Sequence, residues 1–161
     1  MTKDETIKAI RNDCIDLGLD LVDQIAYVLG TVDWETGHTF QPVREAFWKN
    51  EAWRKAHLRY FPYYGRGYVQ LTWKANYQVY GKKLNIDLVG NPDLAMLPEN
   101  ARFILIDGFK TGAFTGKKLA DYINEDGTNF IAARKCINGL DKCHEIAALA
   151  EKYRDEMNQE V

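Results

Sequence analysis

The sequence predicts a mainly α fold in a single domain covering residues 1–161. Apolar residues recur three or four positions apart in several segments, which is the period of an amphipathic helix. Glycine, asparagine and proline lie at the boundaries of these segments, where helices begin and end. No internal repeat, low-complexity run or linker interrupts the chain, so a second domain is not expected.

The first two helices are predicted to form a hairpin. The first covers residues 4 to 16 and is closed by Gly18, since glycine readily adopts the left-handed backbone that ends many helices. The second is expected from Leu21 to about Thr36, with Asp20 as its N-terminal cap and Gly37 at its C-terminal end. Its apolar stripe consists of Leu21, Ile25, Val28 or Leu29, and Val32.

Helical periodicity is partly lost in the middle of the chain. A helix is compatible with the pattern from Arg44 to Leu58, and a loop is predicted after it by Pro62 and the triplet Gly65-Arg66-Gly67. The segment Gln70–Tyr80 is predicted as a helix ended by Gly81. A short strand is the alternative start of this segment, formed by Tyr68, Val69 and Leu71.

Later helices are marked by proline at the first helical position, after Asn91 and after Leu97. The second of these helices has an apolar face of Ala101, Ile104, Leu105 and Phe109. Thr115 is expected to cap a helix over residues 116–123. Two final helices are predicted over residues 129–137 and 141–157, separated by a tight turn at Asn138-Gly139.

Composition excludes several classes of protein. Hydrophobic residues make up 46% of the chain and charged residues 27%, as in ordinary soluble proteins, and no window approaches the roughly 18 apolar residues of a membrane span. A net charge of −2 argues against nucleic acid as the partner. A local excess of positive charge suits either an anionic polymer or a solvated surface. It consists of Arg44, Lys49, Arg54, Lys55, Arg59 and Arg66 against Glu45 and Glu51.

The cysteines and the N-terminus indicate a reducing compartment. Three cysteines without a Cys-x-x-Cys pair support neither a disulfide framework nor a structural zinc site, so Cys14, Cys136 and Cys143 are expected to be reduced core thiols. The N-terminus has no basic start followed by an apolar run, so no secretory signal is predicted. Synthesis and retention in a cytoplasm are expected.

Glu35 follows the apolar stripe of the second helix by one turn, which predicts a carboxylate at the rim of the core. Desolvation disfavours the charged form, so this side chain is expected to hold a proton near neutral pH, as a general acid must. Glu45 supplies a second carboxylate ten residues later. Two carboxyl groups in unlike surroundings are the starting point for glycoside hydrolysis. The alternative is that Glu35 is a solvated side chain or half of an ion pair.

Three sequence blocks resemble a known enzyme family. They are Trp34-Glu-Thr-Gly37, Tyr63-Tyr-Gly-Arg-Gly-Tyr-Val-Gln-Leu-Thr-Trp-Lys-Ala-Asn-Tyr77 and Ile137-Asn-Gly139. In order and spacing, over about residues 20 to 157, they resemble the chitinases of glycoside hydrolase family 19 and the phage endolysins that share their lysozyme-like fold. The resemblance implies one lysozyme-like α-helical domain with a central active-site groove and no separate wall-binding domain.

The resemblance also implies catalytic roles. Glu35 takes the glutamate position of the family's His-Glu-Thr-Gly motif and is therefore expected to be the general acid, although Trp34 replaces the usual histidine. Glu45 is the best match for the general base, which activates a water on the opposite face of the sugar and inverts the anomeric centre. Glu51, on the same segment, is the competing choice.

Further residues are assigned to water and substrate by the same resemblance. Thr72 is expected to hold the attacking water, and three amides are expected to contact the sugar, namely Gln70, Asn76 and Asn138. Neutral amides both donate and accept hydrogen bonds, which suits N-acetyl and hydroxyl groups. The structural alternatives are that Gln70 and Asn76 tie loops together and that Thr72 caps its helix.

Aromatic residues crowd the stretch from Tyr60 to Tyr77. Most are expected in the core, and one or two are expected to line a groove where sugar faces stack on them. Tyr64 and Arg66 are the candidates for substrate contact from this stretch. For Arg66, which lies between two glycines, the favoured alternative is that it braces the loop through a carboxylate partner.

These assignments predict a glycosidase that hydrolyses β-1,4 bonds between N-acetylhexosamines in peptidoglycan, without a cofactor or metal. Peptidoglycan is preferred because the compact chain, lacking a signal and disulfides, resembles phage lysins more than secreted plant chitinases. The resemblance implies a monomeric endolysin made in the host cytoplasm, released with a holin's help, and active on the cell wall from the periplasm. Bacterial lysis is the expected outcome.

Other functions remain open at this point. One is a chitinase acting on chitin, and another is a catalytically inactive glycan-binding module. A zinc peptidase is disfavoured because His38, His57 and His144 are scattered along the chain. A retaining muramidase would need its two carboxyl groups about 5 Å apart, whereas inversion needs roughly 6.5 to 9.5 Å.

Overall fold

The computed structural model describes residues 1–160, and helices dominate this part of the chain. The α-helices are α1 (Lys3–Leu17), α2 (Val22–Glu35), α3 (Glu51–His57), α4 (Lys74–Leu84), α5 (Pro98–Thr111) and α6 (Cys143–Gln159). Short 3₁₀ helices cover Pro92–Met96, Leu119–Asp121 and Ala132–Cys136. The two-residue strands are β1 (Val43–Arg44), β2 (Arg66–Gly67), β3 (Ile123–Asn124) and β4 (Gly127–Thr128). The predicted mainly α class is confirmed.

The described residues divide into two compact units. The first unit contains residues 1–40 together with the chain from Leu105 onward, and the second contains residues 41–104. Each unit holds one antiparallel strand pair, β3 with β4 in the first and β1 with β2 in the second. The prediction that residues 1–161 act as one domain stays a prediction.

Helix α2 forms the centre of the first unit. All of its residues from Gln24 to Asp33 are buried, and its main packing partner is α6. The two helices approach closely at Gly30, where a Cβ atom would lie only 2.9 Å from the backbone nitrogen of Ala150. The sequence predicted an apolar stripe, but the helix is buried around its whole circumference. Glu35 is its last residue.

The second unit is organised around the β1–β2 pair. Val43 pairs with Gly67 and Arg44 with Arg66, so two segments that are distant in the sequence are joined. Helix α4 contributes Tyr77 and Tyr80 to the core of this unit. The loop predicted around Gly65-Arg66-Gly67 therefore contains a short strand.

Several predicted helix boundaries are wrong. The N-terminal cap of α2 is Leu21 instead of Asp20, and the backbone nitrogen of Leu21 donates to the side chain of Gln24 at 3.3 Å. Helix α4 begins at Lys74 because Gln70 (φ 61°) and Trp73 (φ 75°) have left-handed backbone conformations that a right-handed helix excludes. It continues through Gly81 and ends at Leu84, with Asn85 as its C-terminal cap.

The longest segment in which the structure differs from the prediction is residues 116–137. Two helices were expected there, but the chain forms 3₁₀ turns and the β3–β4 pair. Thr115 does not cap an α-helix; its hydroxyl donates to the carbonyl of Lys135 at 2.7 Å. Likewise, the helix predicted over 44–58 is confined to α3, preceded by β1.

Other sequence-based expectations agree with the structure. Proline begins both the 3₁₀ helix at Pro92 and α5 at Pro98. The three cysteines are buried and free, and burial raises the pKa of the Cys14 thiol to about 12. Within residues 1–160, no helix combines the length and apolar character needed to cross a membrane.

Candidate active site

The predicted site residues fall in both units. Glu35 and Asn138 belong to the first unit. The remaining residues belong to the second unit: Glu45, Tyr64, Arg66, Gln70, Thr72 and Asn76.

Glu35 is held by a buried arginine. Its side chain is 22% exposed, and its Oε1 atom accepts a hydrogen bond from Arg134 Nη2 at 2.9 Å. Oε2 of Glu35 makes no hydrogen bond to a described residue. The predicted alternative of an ion pair therefore applies to Glu35. The pair also fixes the orientation of the carboxyl group.

Arg134 is a functional candidate that the sequence did not reveal. It lies in the 3₁₀ helix Ala132–Cys136, and its Nε donates to the carbonyl of Asp141 at 2.6 Å. Its buried Nη1 has no hydrogen-bond partner among the described residues. Such a donor is costly to leave unpaired inside a protein, so it is available to an incoming acceptor beside Glu35.

Asn138 lies on the turn that follows Arg134. Its backbone nitrogen donates to the carbonyl of Arg134 at 3.0 Å, and its side chain is exposed. The predicted turn at Asn138-Gly139 is present, with Gly139 at φ 52°. The structure thus places the candidate sugar-contacting amide on the same short segment as the arginine that binds Glu35.

The turn after Glu35 is fixed by a second carboxylate. Asp33, which is buried, accepts from the hydroxyl of Tyr153 at 2.6 Å and contacts Nδ1 of His38 at 2.5 Å. Burial and the neighbouring Asp33 raise the pKa of Tyr153, so the phenol stays protonated and remains a donor. These contacts hold the C-terminal end of α2 in place.

Glu45 is held by neutral donors. It follows β1, is half-buried, and its Oε1 accepts from the backbone nitrogen of Gly65 at 3.0 Å. Its Oε2 accepts from the hydroxyl of Tyr60. Burial and the adjacent Glu45 raise the pKa of Tyr60 to about 12, so this phenol is a donor throughout the physiological range. These two donors fix the orientation of the Glu45 carboxyl group.

Arg54 anchors the backbone around Glu45. This buried side chain donates from Nε to the carbonyl of Glu45 at 2.9 Å and from Nη2 to the carbonyl of Ala46 at 3.1 Å. Its Nη1 donates to Oε1 of Glu51 at 3.0 Å. Sequence reasoning missed this role because a lone arginine on a basic segment gives no signal of its burial.

Glu51 is bound differently from Glu45. It begins α3, its side chain is 59% exposed, and its Oε1 accepts from both Arg54 and the hydroxyl of Tyr64, the latter at 2.8 Å. The carboxylate therefore links α3 to the core of the second unit. This arrangement gives the competing carboxylate a structural task.

Tyr64 is a structural residue, contrary to its assignment to substrate binding. Its side chain is 0% exposed, and its hydroxyl accepts from Arg44 at 2.9 Å while donating to Glu51. Full burial removes it from direct contact with a sugar in this structure.

Arg66 takes the bracing position, and its assignment to substrate contact is likewise not supported by its burial. It is 4% exposed, its guanidinium lies 3.7 Å from the ring centroid of Tyr64, and it donates to Pro62, Tyr77 and Asp93. The carboxylate partner expected from the sequence is thus Asp93, which also accepts from Arg44 at 2.5 Å. The bond from Arg44 lowers the pKa of Asp93.

The local positive charge is smaller at the surface than the sequence suggested. Arg44, Arg54 and Arg66 are engaged with carboxylates and carbonyls inside the second unit. The exposed cations of this segment are Lys49, Lys55 and Arg59.

Gln70, Thr72 and Asn76 form a chain of hydrogen bonds. Gln70 donates to the carbonyl of Val43 at 2.8 Å, Thr72 donates to the carbonyl of Gln70 at 2.9 Å, and Asn76 donates to the carbonyl of Thr72 at 2.8 Å. The amides thus tie the loop to β1 and to α4. The helix-cap alternative for Thr72 is wrong, since the N-terminal cap position of α4 is Trp73.

Gly65 brings this chain of amides together with Glu45. A Cβ atom at position 65 would lie 2.6 Å from Oε1 of Gln70, so a larger residue here would displace the Gln70 side chain. Gly65 also donates its backbone N–H to Glu45.

Among the described residues, no group of three or more His, Cys, Asp or Glu side chains is placed to hold a metal ion.

Comparisons with known proteins match this region. Residues 34–105, which include Glu35, Glu45 and the glycine-rich segment, match the model of glycoside hydrolase family 19, described as chitinase class I. Chitinase 8 of Oryza sativa subsp. japonica is 67% identical over 33 residues, covering 20% of this chain and 13% of that protein. Basic endochitinase CHB4 of Brassica napus is 29% identical over 125 residues, covering 73% of this chain and 43% of that protein.

A solved structure matches over a longer region. Chitinase C from Streptomyces griseus HUT6037 aligns with a TM-score of 0.55 and 24% identity, covering 84% of this chain and 56% of that one. This chain therefore spans only part of the length of its relatives. The match to chitinase C shows the fold. The sequence similarity lies in the segment that contains the motifs, residues 34–105. Residues 34–105 are thus similar to the chitinase-like proteins of glycoside hydrolase family 19.

Proposed function

We propose that this protein hydrolyses β-1,4 glycosidic bonds between N-acetylhexosamines by general acid and base catalysis. The observation that carries the proposal is that the two family carboxylates have unlike partners. Glu35 has a cation on one oxygen, and Glu45 has neutral donors on both. Carboxyl groups in different surroundings can perform different steps of one reaction.

Glu35 acts as the acid in this mechanism. Arg134 occupies Oε1, so Oε2 carries the proton that passes to the glycosidic oxygen as the bond breaks. The leaving sugar departs with that proton as a free hydroxyl group. Nη1 of the same guanidinium has no partner among the described residues, so it can donate a hydrogen bond to an oxygen of the substrate.

Glu45 acts as the base. Each carboxylate oxygen has more than one acceptor position, so bonds from Gly65 and Tyr60 leave room for a water. Glu45 takes a proton from that water, whose oxygen then bonds to the anomeric carbon on the face opposite the leaving group. The hydroxyl of Thr72 donates to Gln70, so its lone pairs remain acceptors for the water. The expected product has inverted configuration.

Peptidoglycan is the proposed substrate. The motif pattern resembles the phage lysins, and the exposed Lys49, Lys55 and Arg59 favour approach to an anionic polymer. We further propose that the protein is a monomeric endolysin, made in a cytoplasm and delivered to the periplasmic wall with a holin. Chitin is the second candidate, because the relatives reported above are named as chitinases.

The test is hydrolysis of purified peptidoglycan and of colloidal chitin by the full chain and by Glu35→Gln. We expect new reducing ends from peptidoglycan, and a loss of at least about a thousandfold in kcat/KM in the variant, since general acid catalysis contributes roughly 10²- to 10⁴-fold. Unchanged melting temperature is the folding control. If Glu35→Gln still lyses bacterial cells, the result would instead support a glycan-binding module. Faster release of reducing ends from chitin than from peptidoglycan would favour the second substrate.

The products distinguish the remaining possibilities. Identification of the new reducing end as N-acetylmuramic acid or N-acetylglucosamine shows which bond is cut. Proton magnetic resonance identifies the anomer that forms first, and this observation tests inversion. A retained anomeric configuration would contradict the proposed role of Glu45 as a base.

A further inference from the structure

Two adjacent aromatic side chains beside Glu45 are unusually exposed. Phe47 and Trp48 are each 70% exposed, more than any other large apolar side chain reported for the described residues. Single exposed apolar residues are common on protein surfaces, but two neighbouring aromatic rings form a contiguous apolar patch. No sequence motif discussed above includes them.

The turn that carries Phe47 and Trp48 is fixed in place. Ala46 has a left-handed backbone (φ 51°), its carbonyl accepts from Arg54 at 3.1 Å, and it also accepts from the backbone nitrogen of Lys49 at 2.9 Å. Asn50 then caps α3 by accepting from the backbone nitrogen of Trp53 at 2.8 Å. The two rings therefore project from a turn that is bonded at both ends.

The two rings also order each other. Their centroids lie 5.2 Å apart at an interplanar angle of 88°, the edge-to-face geometry that aromatic pairs prefer. Binding of a partner therefore costs less side-chain conformational entropy, because the two rings are already restrained.

We propose that Phe47 and Trp48 form a stacking platform that binds one N-acetylhexosamine unit of the polymer next to Glu45. The proposal rests on the proposed function. Pyranose rings present apolar C–H faces, and exposed aromatic rings bury such faces while the sugar hydroxyls remain in water. Two peptide units separate the Cα atoms of Glu45 and Phe47, so these atoms lie at most about 7.6 Å apart.

The same arginine connects the platform with the proposed base. Arg54 donates to the carbonyls of both Glu45 and Ala46, so the backbone before the rings and the backbone of the base are held by one guanidinium. A sugar stacked on the rings is thereby kept in register with Glu45. Correct register is what a polymer-cleaving site needs, since misplacement of the reacting bond lowers the rate.

A membrane surface is a less suitable partner for this turn. Membrane-binding segments combine aromatic residues with several cations on the adjoining face. Residues 46–50 contain one cation, Lys49, and its ammonium lies 5.5 Å from the ring centroid of Trp53. The observations favour carbohydrate.

The experiment measures binding separately from hydrolysis. In the full chain carrying Glu35→Gln, which prevents cleavage under the proposed mechanism, calorimetry gives the Kd of a soluble N-acetylglucosamine hexamer. We compare Trp48→Ala, Phe47→Ala, the double variant and the conservative Trp48→Phe. The matched control is Val79→Ala, which removes a 47% exposed apolar side chain on α4 of the same unit.

We expect Trp48→Ala to raise the Kd about tenfold, as for a central aromatic contact in a binding site. The double variant should weaken binding further, Trp48→Phe should retain most of the affinity, and Val79→Ala should leave it unchanged. In the chain that retains Glu35, the double variant should raise KM on peptidoglycan while kcat changes little. Matching circular dichroism melts identify variants that remain folded.

Other results would overturn the platform. One is a hexamer Kd in the double variant within twofold of the parent value. Another is that the double variant loses binding to phosphatidylglycerol–phosphatidylethanolamine vesicles instead. A third is that the double substitution dissociates a dimer in sedimentation velocity. If the chain with Glu35 binds the hexamer through these rings but releases no reducing ends, the proposed hydrolysis fails and the platform stands. If the chain with Glu35 hydrolyses peptidoglycan but the double variant binds the hexamer as tightly as the parent, the proposed hydrolysis stands and the platform fails.

Discussion

The two predicted catalytic carboxylates are held in chemically different ways. Glu35 is bound by a buried cation, Arg134, whereas Glu45 is bound by the backbone N–H of Gly65 and the phenol of Tyr60. A buried charge that loses its partner is strongly destabilising, while the loss of one neutral donor costs much less. Substitutions around Glu35 should therefore disturb stability and activity together, and those around Glu45 should disturb mainly activity.

The largest expected effect separates Glu45 from Glu51. We expect Glu45→Gln to lower kcat/KM on peptidoglycan by about a hundredfold or more, because an amide cannot accept the proton of the attacking water. Glu51→Gln keeps an acceptor for Tyr64 and Arg54, and its kcat/KM should remain within about tenfold of the parent. Steady-state release of reducing ends measures both. The reverse order would assign the base to Glu51.

Removal of Arg134 should have the largest effect on stability. Arg134→Met leaves the partly buried Glu35 without its cation, and we expect a decrease of about 2 kcal/mol in the free energy of unfolding. Urea denaturation measures the change. In a double-mutant cycle with Glu35→Gln, the two losses should not add, because each removes the same ion pair. Fully additive losses would show that the pair contributes no coupling.

Tyr60 is expected to position the Glu45 carboxylate. Tyr60→Phe removes the hydroxyl that donates to Oε2 of Glu45, so the carboxylate is less firmly oriented and kcat/KM should fall by about tenfold. Steady-state release of reducing ends measures the change. Tyr63→Phe, which removes a hydroxyl bonded to the carbonyl of Val89 at 3.1 Å, is the matched control and should leave kcat/KM unchanged. Equal kcat/KM in Tyr60→Phe and the parent would contradict the positioning role.

The smallest expected effect concerns Asp93, which joins Arg44 and Arg66. Its pKa is lowered in the folded protein, so its contribution to stability is present above the unfolded pKa and is lost as pH falls through the folded value. Because the carboxylate is largely exposed, Asp93→Asn should cost only about 0.5 kcal/mol near pH 7. Denaturation at pH 7 and pH 3 measures the difference, which should shrink at the lower pH. A constant difference would exclude an electrostatic origin.

Much of the fold followed from local patterns. Helices α1, α2, α5 and α6 lie close to their predicted positions because each has an apolar face at helical spacing and a boundary residue at its end. Residues 116–137 were assigned incorrectly because Ile123 is fully buried through the β3–β4 pair, which no helical period encodes. Helix α4 begins later than predicted because tertiary contacts hold Gln70 and Trp73 in left-handed conformations.

The candidate site was predicted less evenly than the fold. The motifs identified the segment from Glu35 to Asn76, which lies entirely within the residues that the family model matches. They did not reveal Arg134, which lies 99 residues from its partner, or Arg54, whose basic side chain suggested a surface position. Tyr64 was expected to contact substrate, but its burial gives it a structural role, whereas Arg66 takes the bracing role that the sequence favoured.

The sequence by itself determined the mainly α class, the burial of the cysteines, the similarity to glycoside hydrolase family 19 and the carboxylates that are the best catalytic candidates. These properties depend on residue type and short spacing, which act locally along the chain. Tertiary structure alone decided that Glu35 is bound by Arg134, that Glu45 is bound by Tyr60, and that three of the basic residues are internal. The physical reason is that a polar side chain acquires its partner only when distant segments exclude water from it together.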